Sequence, residues 1–317
     1  MDLDWTSAGL TGFRWITLRR SPVGGGFLES ASHFPNDLFT RADDVLLMIH
    51  GYAVHQVGAS RAYRQFLDHL DPPWRRMAVA TFWPGDSWAE GEGSLNPNGW
   101  HTLAAKLSYP AQPERTQNAA KLLANLIAQG LNARTGLRLN RPLNLHIIAH
   151  SMGCRLTLEL LDQLEFGLNA GLPIDVPLAA LMAPAVPRYM TEGHGVLKSA
   201  MSVSAHLHIL HSPDDGVLTW AFKLGQLTEF SLPSASGWRE PIGTYGAGPA
   251  GRRPGSKLTN SEKSLGHGDY WKSADVAQEI NMLMRELRPR EGYPGMAPSR
   301  QVDPREMDGR EAQLRLL

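Results

Sequence analysis

A chain of 317 residues is long enough to bury a sizeable core, and its 42% hydrophobic and 20% charged residues are typical of a globular protein. Lysine plus arginine balances aspartate plus glutamate at 31 each, which gives no reason to expect a nucleic-acid partner or an anionic membrane surface. Because no apolar run approaches the roughly 20 residues of a membrane span, we expect no transmembrane helix.

Cysteine usage and the amino terminus bear on the cellular compartment. The chain has one cysteine, Cys154, so neither an intrachain disulfide nor a cysteine-based metal cluster can form. Residues 1–5 are acidic and lack the positive start and the apolar segment of a secretory signal. We therefore expect a reducing, cytoplasmic setting.

The first 40 residues are predicted to form a hairpin extension. Residues 11–34 alternate in polarity on either side of a glycine triplet at residues 24–26, which is typical of a turn between two strands. The triplet lacks the G-x-G-x-x-G spacing and no helix follows it, so it does not indicate a phosphate-binding loop.

A strand, a helix and a second strand come next. Apolar runs at residues 45–49 and 77–83 predict two buried strands, and the spacing of apolar residues predicts a helix between them that starts near Ser60. Residues 84–113 are then rich in glycine, proline, asparagine and serine. A loop this long in a compact domain is usually functional or mobile, so we expect a rim or lid, with a plain surface excursion as the alternative.

The most informative stretch follows a helix predicted over residues 117–129, which Gly130 is expected to end. Residues 143–148 form an apolar run typical of a strand buried on both faces of a parallel sheet. The run ends in Ala149-x-Ser151-x-Gly153, and helical periodicity resumes directly afterwards. A serine between a strand and a helix indicates a nucleophile elbow, so Ser151 is the candidate nucleophile, and an ordinary loop serine is the alternative.

Two more strands are predicted at residues 176–183 and 206–211, followed by a glycine-, proline- and serine-rich stretch that reaches Gly268. Ser273 is expected to cap a last amphipathic helix. The mixed charge and the prolines of residues 288–317 predict a flexible tail. Strands that alternate with helices indicate a parallel sheet with helices on both faces.

A serine hydroxyl needs a base, and the base needs an orienting acid. In hydrolases with a nucleophile elbow the three groups follow the chain order serine, acid, histidine. Of the 12 histidines, His267 alone follows the acidic pair Asp214-Asp215, so we expect it to be the base. Asp215 is the preferred acid because an apolar pair follows it closely, and Asp214 stays open as the alternative.

Acyl transfer also needs two backbone N–H groups that face the developing oxyanion. Met152 is expected to supply one, because it follows the nucleophile at the start of a helix. Tyr52 is expected to supply the other from the loop after the strand at residues 45–49, with Ala53 as the alternative.

Histidines at positions 206 and 208 share one strand face and could together approach a metal ion. No third ligand stands at a credible spacing, so a structural role is the stronger interpretation, and we predict neither a metal nor a cofactor.

Five segments together resemble the α/β-hydrolase superfamily, and in particular its bacterial serine esterase and lipase-like members: residues 45–53, 79–86, 145–153, 210–218 and 266–271. The resemblance spans roughly residues 40–287 and implies a hydrolase domain within residues 1–287. It also implies triad roles for Ser151, Asp215 and His267, and a small-molecule acyl substrate such as a carboxylic ester. Ala149 departs from the usual glycine, and the lack of a long helical insertion after the fifth strand predicts no large cap domain.

Three tryptophans, Trp88, Trp100 and Trp271, are the candidates for lining an acyl pocket.

The sequence is also compatible with two alternatives to an esterase. One is a hydrolase-like binding protein that has lost turnover, since a fold does not determine a function. The other is the same triad acting on a thioester or an amide.

Overall fold

The computed structural model describes residues 14–20, 26–85, 113–137, 141–169, 171–219, 240–248 and 254–287. The predictions for Trp88, Trp100, most of the loop at residues 84–113 and the tail at residues 288–317 lie outside these ranges.

Within the described ranges, nine strands form one sheet. They are β1 (Arg14–Arg19), β2 (Phe27–Phe34), β3 (Asp44–Ile49), β4 (Ala78–Phe82), β5 (Leu143–His150), β6 (Ile174–Asp175), β7 (Leu178–Met182), β8 (His206–His211) and β9 (Lys257–Glu262). Their order is β2-β1-β4-β3-β5-β7-β8-β9, with the short β6 beside β5. Every pair is parallel except β1 with β2, so the predicted hairpin and mostly parallel sheet are both present.

Seven helices accompany the strands in the described part of the chain. They are α1 (Leu38–Arg41), α2 (Gln56–His69), α3 (Pro72–Met77), α4 (Pro113–Gly136), α5 (Met152–Asn169), α6 (Ile242–Tyr245) and α7 (Ala274–Leu287). Five of them form two packing groups, since α2 contacts α7 while α4 contacts α1 and α5. Strands β4 and β7 between them are buried at every position, as expected of a sheet covered on both faces. None of the described helices has the length and hydropathy that a bilayer crossing needs.

Three helix boundaries differ from the sequence prediction, one of them being the start of α4 at Pro113 rather than at residue 117. Helix α2 begins at Gln56 rather than near Ser60, because the His55 side chain caps it by accepting a hydrogen bond from the Gly58 N–H at 3.0 Å. Gly130 lies inside α4 and does not end it. A Cβ at this position would lie 2.4 Å from Phe39 Cβ, so the glycine is needed for the close approach of α1 to α4.

The largest difference lies in the stretch that was expected to be a loop as far as Gly268. It contains α6 and the edge strand β9, whose polar sequence KLTNSE has no apolar period to reveal it. Strand β9 pairs with β8 along its whole length and directs the chain back to the carboxyl edge of the sheet. By contrast, the segment between β7 and β8 holds only two short 3₁₀ turns and no long helix, as predicted.

Candidate active site

Ser151 lies alone between the last residue of β5 and the first residue of α5. Its φ of 55° lies in the left-handed region, which costs energy for a residue with a side chain. The helix passes close to the neighbouring strand here, since a Cβ on Gly153 would lie 2.4 Å from the carbonyl oxygen of His50. The strand, the turn at Ser151 and the helix that follows are the local structure that the sequence predicted.

Backbone hydrogen bonds from the next strand hold this strained turn in place. The Ser151 N–H donates to the carbonyl oxygen of Met182 at 2.9 Å, and the Ser151 carbonyl accepts from the Ala185 N–H at 3.1 Å. Both partners come from the end of β7 or the residues just after it. The hydroxyl is therefore presented at the carboxyl edge of the sheet by a backbone that is fixed on both sides.

The structure brings Ser151, Asp215 and His267 together from positions far apart in the chain. His267 Nε2 lies 2.9 Å from Ser151 Oγ, and His267 Nδ1 lies 2.7 Å from Asp215 Oδ2. The Asp215 side chain is fully buried, and its second oxygen accepts a hydrogen bond from the Leu218 N–H at 3.0 Å. Asp214 is exposed, and the contact with the imidazole belongs to Asp215.

The contacts of the imidazole determine its tautomer. A carboxylate only accepts hydrogen bonds, so His267 Nδ1 carries the proton and donates it to Asp215. In the neutral ring Nε2 is then the unprotonated nitrogen, and it accepts the hydroxyl proton of Ser151. This is the arrangement in which an imidazole can remove a proton from the hydroxyl.

Met152 and the loop of Tyr52, the two expected sources of oxyanion donors, lie at the edge of the sheet that carries Ser151. Met152 is the first residue of α5, where backbone N–H groups have no partner within the helix. The loop that carries Tyr52 follows β3, which pairs with β5 in the register Ile49 to Ala149 and so reaches the same edge. The N–H of Ala53, the alternative donor, already donates to the carbonyl oxygen of Gly85 at 2.9 Å.

His50 joins the ends of β3 and β4 beside the site. Its Nδ1 lies 2.8 Å from the Gly51 carbonyl oxygen, and its Nε2 lies 3.3 Å from the Trp83 backbone nitrogen. The indole N–H of Trp83 in turn donates to the His50 carbonyl oxygen at 2.8 Å. Burial lowers the pKa of His50 to about 3, so the ring is neutral and supports the loop of Tyr52.

His150 directly precedes the candidate nucleophile and contacts the candidate base. Its Nε2 lies 2.7 Å from the carbonyl oxygen of His267, and the two imidazole centroids are 4.8 Å apart. Burial, and then the charge of His267, lower the pKa of His150 to about 3. The ring is therefore neutral and donates a hydrogen bond to the backbone carbonyl oxygen of His267.

Trp271 does not lie where the sequence analysis expected it. Its ring is 5% exposed and packs edge-on against Tyr63 and Phe66, at centroid distances of 5.2 and 5.3 Å. The side chain belongs to the core behind His150, with which it is also in contact. The expectation that Trp271 lines an acyl pocket is therefore corrected.

Sequence reasoning missed Ser212, which lies just after β8. Its side chain is buried, and its Oγ accepts hydrogen bonds from the Asp214 N–H and the Leu265 N–H, both at 3.2 Å. A serine at the carboxyl end of a buried strand, three residues before Asp215, was the available signal. Nothing in the sequence showed that the loop of His267 would return to it.

His206 and His208, which the sequence places on one strand face, belong to a hydrogen-bonded cluster around Thr259. Both rings contact the hydroxyl of Thr259, His206 Nε2 at 2.7 Å and His208 Nδ1 at 2.6 Å. His208 Nε2 lies 2.9 Å from Glu279 Oε1 on α7. Across the described residues no group of three or more histidine, cysteine, aspartate or glutamate side chains is arranged to hold a metal ion.

Comparison with known protein families shows to which family the chain belongs. A family model described as "Alpha/beta hydrolase of unknown function (DUF900)" matches residues 29–284. The chain belongs to this family. The match runs from β2 into α7, so the α/β-hydrolase fold and the family resemblance predicted from the sequence are confirmed. No curated protein matches this hydrolase.

This hydrolase is also similar, at low identity, to solved structures. An esterase from Pyrobaculum calidifontis is 10% identical with a TM-score of 0.42, over 89% of this chain and 88% of that one. The RedJ thioesterase of the prodiginine pathway in Streptomyces coelicolor is 12% identical with a TM-score of 0.37, over 78% and 92%. A carboxylesterase from Mesorhizobium loti is 12% identical with a TM-score of 0.32, over 79% and 92%. Similarities this distant carry no information about the substrate of this chain.

Proposed function

We propose that this alpha/beta hydrolase is a serine hydrolase that cleaves a carboxylic ester through an acyl-enzyme intermediate. The observation that carries the proposal is the position of His267, whose two ring nitrogens lie 2.9 Å from Ser151 Oγ and 2.7 Å from Asp215 Oδ2. A buried carboxylate, an imidazole and a hydroxyl in one hydrogen-bonded row are what nucleophilic acyl transfer requires.

In the first step Ser151 Oγ attacks the ester carbonyl carbon while His267 Nε2 takes the hydroxyl proton. The ring then carries a positive charge beside the buried Asp215 carboxylate, which stabilises the imidazolium. A tetrahedral intermediate forms, with a new C–O bond to Ser151 and a negative charge on the former carbonyl oxygen.

The backbone N–H groups of Met152 and Tyr52 are the proposed donors to that negative charge. The N-terminal dipole of α5 adds to the effect at Met152. A fixed donor of this kind typically contributes on the order of 10²–10³ in rate. Collapse of the intermediate breaks the ester C–O bond, and His267 returns its proton to the leaving alkoxide, which departs as an alcohol.

Water completes the cycle on the acyl-enzyme. His267 takes a proton from the water as its oxygen attacks the acyl carbon, and the bond to Ser151 breaks with the proton returning to Oγ. The products are a carboxylic acid and the free enzyme. None of these steps needs a redox partner, and all the proton transfers pass through one imidazole.

Hydrolysis of short p-nitrophenyl esters tests the proposal. We expect turnover by the full chain, and a loss of at least about 10³-fold in kcat for Ser151→Ala and for His267→Ala. Ser30→Ala on the edge strand β2 is the matched serine control and should retain full activity. Absence of turnover with every ester, or equal activity of wild type and Ser151→Ala, would contradict the proposal.

The same assay separates the alternatives. A hydrolase-like binding protein would hydrolyse none of the substrates, whereas the same triad acting on other acyl groups would prefer thioesters or amides in a matched panel.

We propose a cytoplasmic location, supported by the use of a single, buried cysteine.

A further inference from the structure

The loop that carries the base runs over residues 263–269, from the end of β9 towards α7. The Lys263 N–H continues the sheet by donating to the His211 carbonyl oxygen at 2.8 Å. His267 lies four residues further along, and 16% of its side chain is exposed. A base on a surface loop has to be held to within a fraction of an ångström of its partners, because proton transfer depends steeply on geometry.

One contact to this base loop comes from the strand that carries the nucleophile. His150, the last residue of β5, places its Nε2 2.7 Å from the backbone carbonyl oxygen of His267. Because a carbonyl oxygen only accepts hydrogen bonds, Nε2 carries the proton and the ring is the donor. The residue before the nucleophile therefore holds the backbone of the base.

A further contact to this loop comes from Ser212, which directly follows β8. The buried Ser212 accepts the Leu265 N–H, two residues before His267, and the Asp214 N–H, one residue before Asp215. Its own N–H donates to the carbonyl oxygen of Gly243 in α6 at 2.9 Å, which fixes the residue to that helix. A single hydroxyl thus joins the base loop to the turn of the acid.

We propose that His150 and Ser212 are positioning residues, which clamp the base loop on both sides of His267 and so set the distances from the imidazole to Ser151 and Asp215. The inference rests on the proposed function for its kinetic consequence, though the clamp itself is a property of the folded chain. Neither residue reacts with the substrate. Strand β5 leads to Ser151 and ends in His150, and strand β8 leads to Asp215 and is followed by Ser212. Each of these strands therefore also supplies a contact to the loop that carries His267.

Substitution of His150 gives a sharp kinetic test. His150→Leu removes the donor but keeps a similar volume, and we expect kcat to fall by on the order of 10–10²-fold with little change in KM. His150→Gln retains an N–H that can reach the same carbonyl oxygen, so it should restore kcat to within about threefold of wild type. Ser212→Ala should lower kcat by on the order of tenfold.

His206→Leu is the matched control for the loss of a buried histidine. His206 is the first residue of β8, at the end of the strand opposite the site, and like His150 it is a buried residue. This variant is expected to lose stability but to keep the kcat of wild type. An equal loss of kcat in His206→Leu and His150→Leu would show that general destabilisation is responsible and would overturn the clamp.

A spectroscopic readout keeps the test independent of the substrate. The Nδ1–H of His267, hydrogen bonded to Asp215, should give a far-downfield proton NMR resonance that disappears in His267→Ala. We expect this resonance in wild type and His150→Gln, and its loss or broadening in His150→Leu. If the wild type hydrolyses no ester, the proposed function fails while this resonance still tests the clamp. An unchanged resonance in His150→Leu would overturn the clamp whatever the activity.

Discussion

The Asp215 carboxylate lies 2.7 Å from His267 Nδ1 and is fully buried, while Asp214, its neighbour in the chain, is exposed. Two adjacent carboxylates at the end of one strand therefore have different environments. Only the buried one can hold the imidazole in the tautomer that accepts the proton of Ser151.

Substitution of the two aspartates should separate these environments. Asp215→Asn places an amide against His267 Nδ1, which favours the tautomer with the proton on Nε2, so that the ring no longer accepts from Ser151. We expect kcat for ester hydrolysis to fall by on the order of 10⁴-fold. Asp214→Asn should change kcat by less than about threefold, since it leaves that tautomer unchanged. A comparable loss in both variants would contradict the assignment.

Helix α4 offers a matched pair of glycines for a test of packing. A Cβ at Gly130 would lie 2.4 Å from Phe39 Cβ, whereas a Cβ at Gly136 has no atom within 4 Å. Urea denaturation should show Gly130→Ala less stable by about 1–3 kcal/mol, because the new methyl forces α1 away. Gly136→Ala should be neutral or more stable by up to about 1 kcal/mol. The reverse order would mean that α1 does not pack on α4 as described.

Acid should destabilise the fold through its buried histidines. Burial lowers the pKa of His206 from 6.5 to about 4, helped by the nearby Lys257 and His208. Between these two pH values the unfolded chain binds a proton that the folded chain does not, so stability decreases as the pH falls, by up to about 1.4 kcal/mol per pH unit for one group. Above pH 6.5 both states are neutral and the contribution vanishes.

Denaturation curves at pH 7 and pH 5 measure this effect. His206→Gln removes the titrating group but can still form a hydrogen bond with Thr259, so the stability difference between the two pH values should be smaller than in wild type. His194→Gln changes an exposed histidine and should leave the difference unaltered. An undiminished difference in His206→Gln would exclude His206 as a source of the acid sensitivity.

Trp271 should act on stability rather than on substrate preference. Its indole packs against Tyr63 and Phe66 in the core, so Trp271→Leu should lower the free energy of unfolding by about 2–5 kcal/mol. If the proposed esterase activity is present, the order of preference among esters of different acyl length should not change. A selective rise in KM for esters with long acyl chains, with no loss of stability, would contradict this expectation and indicate that Trp271 contacts the substrate.

The parts of the fold that the sequence revealed are those with strong local patterns. Strand β5 is an apolar run, the turn at Ser151 has a glycine two residues later, and α5 resumes a helical period, so the elbow could be recognised from one segment. His267 was found by chain order, because it is the one histidine after the acidic pair.

The parts that the sequence did not reveal depend on long-range contacts. Strand β9 is polar and is stabilised by its ladder with β8, which a local period cannot show. The role of Ser212 in connecting two loops becomes apparent only in the structure, where the Leu265 N–H, 53 residues further along the chain, donates to its hydroxyl. Trp271 was predicted to line the acyl pocket because the sequence does not show that it packs against Tyr63 and Phe66 in the folded chain.

Covalent labelling tests the central proposal most directly. The full chain and Ser151→Ala are treated with a fluorophosphonate, digested and mapped by mass spectrometry. We predict one phosphonyl adduct on the peptide that contains Ser151 in the wild type, and no adduct in Ser151→Ala. Labelling of another residue in its place, or equal labelling of both proteins, would contradict the proposal that Ser151 is the activated nucleophile.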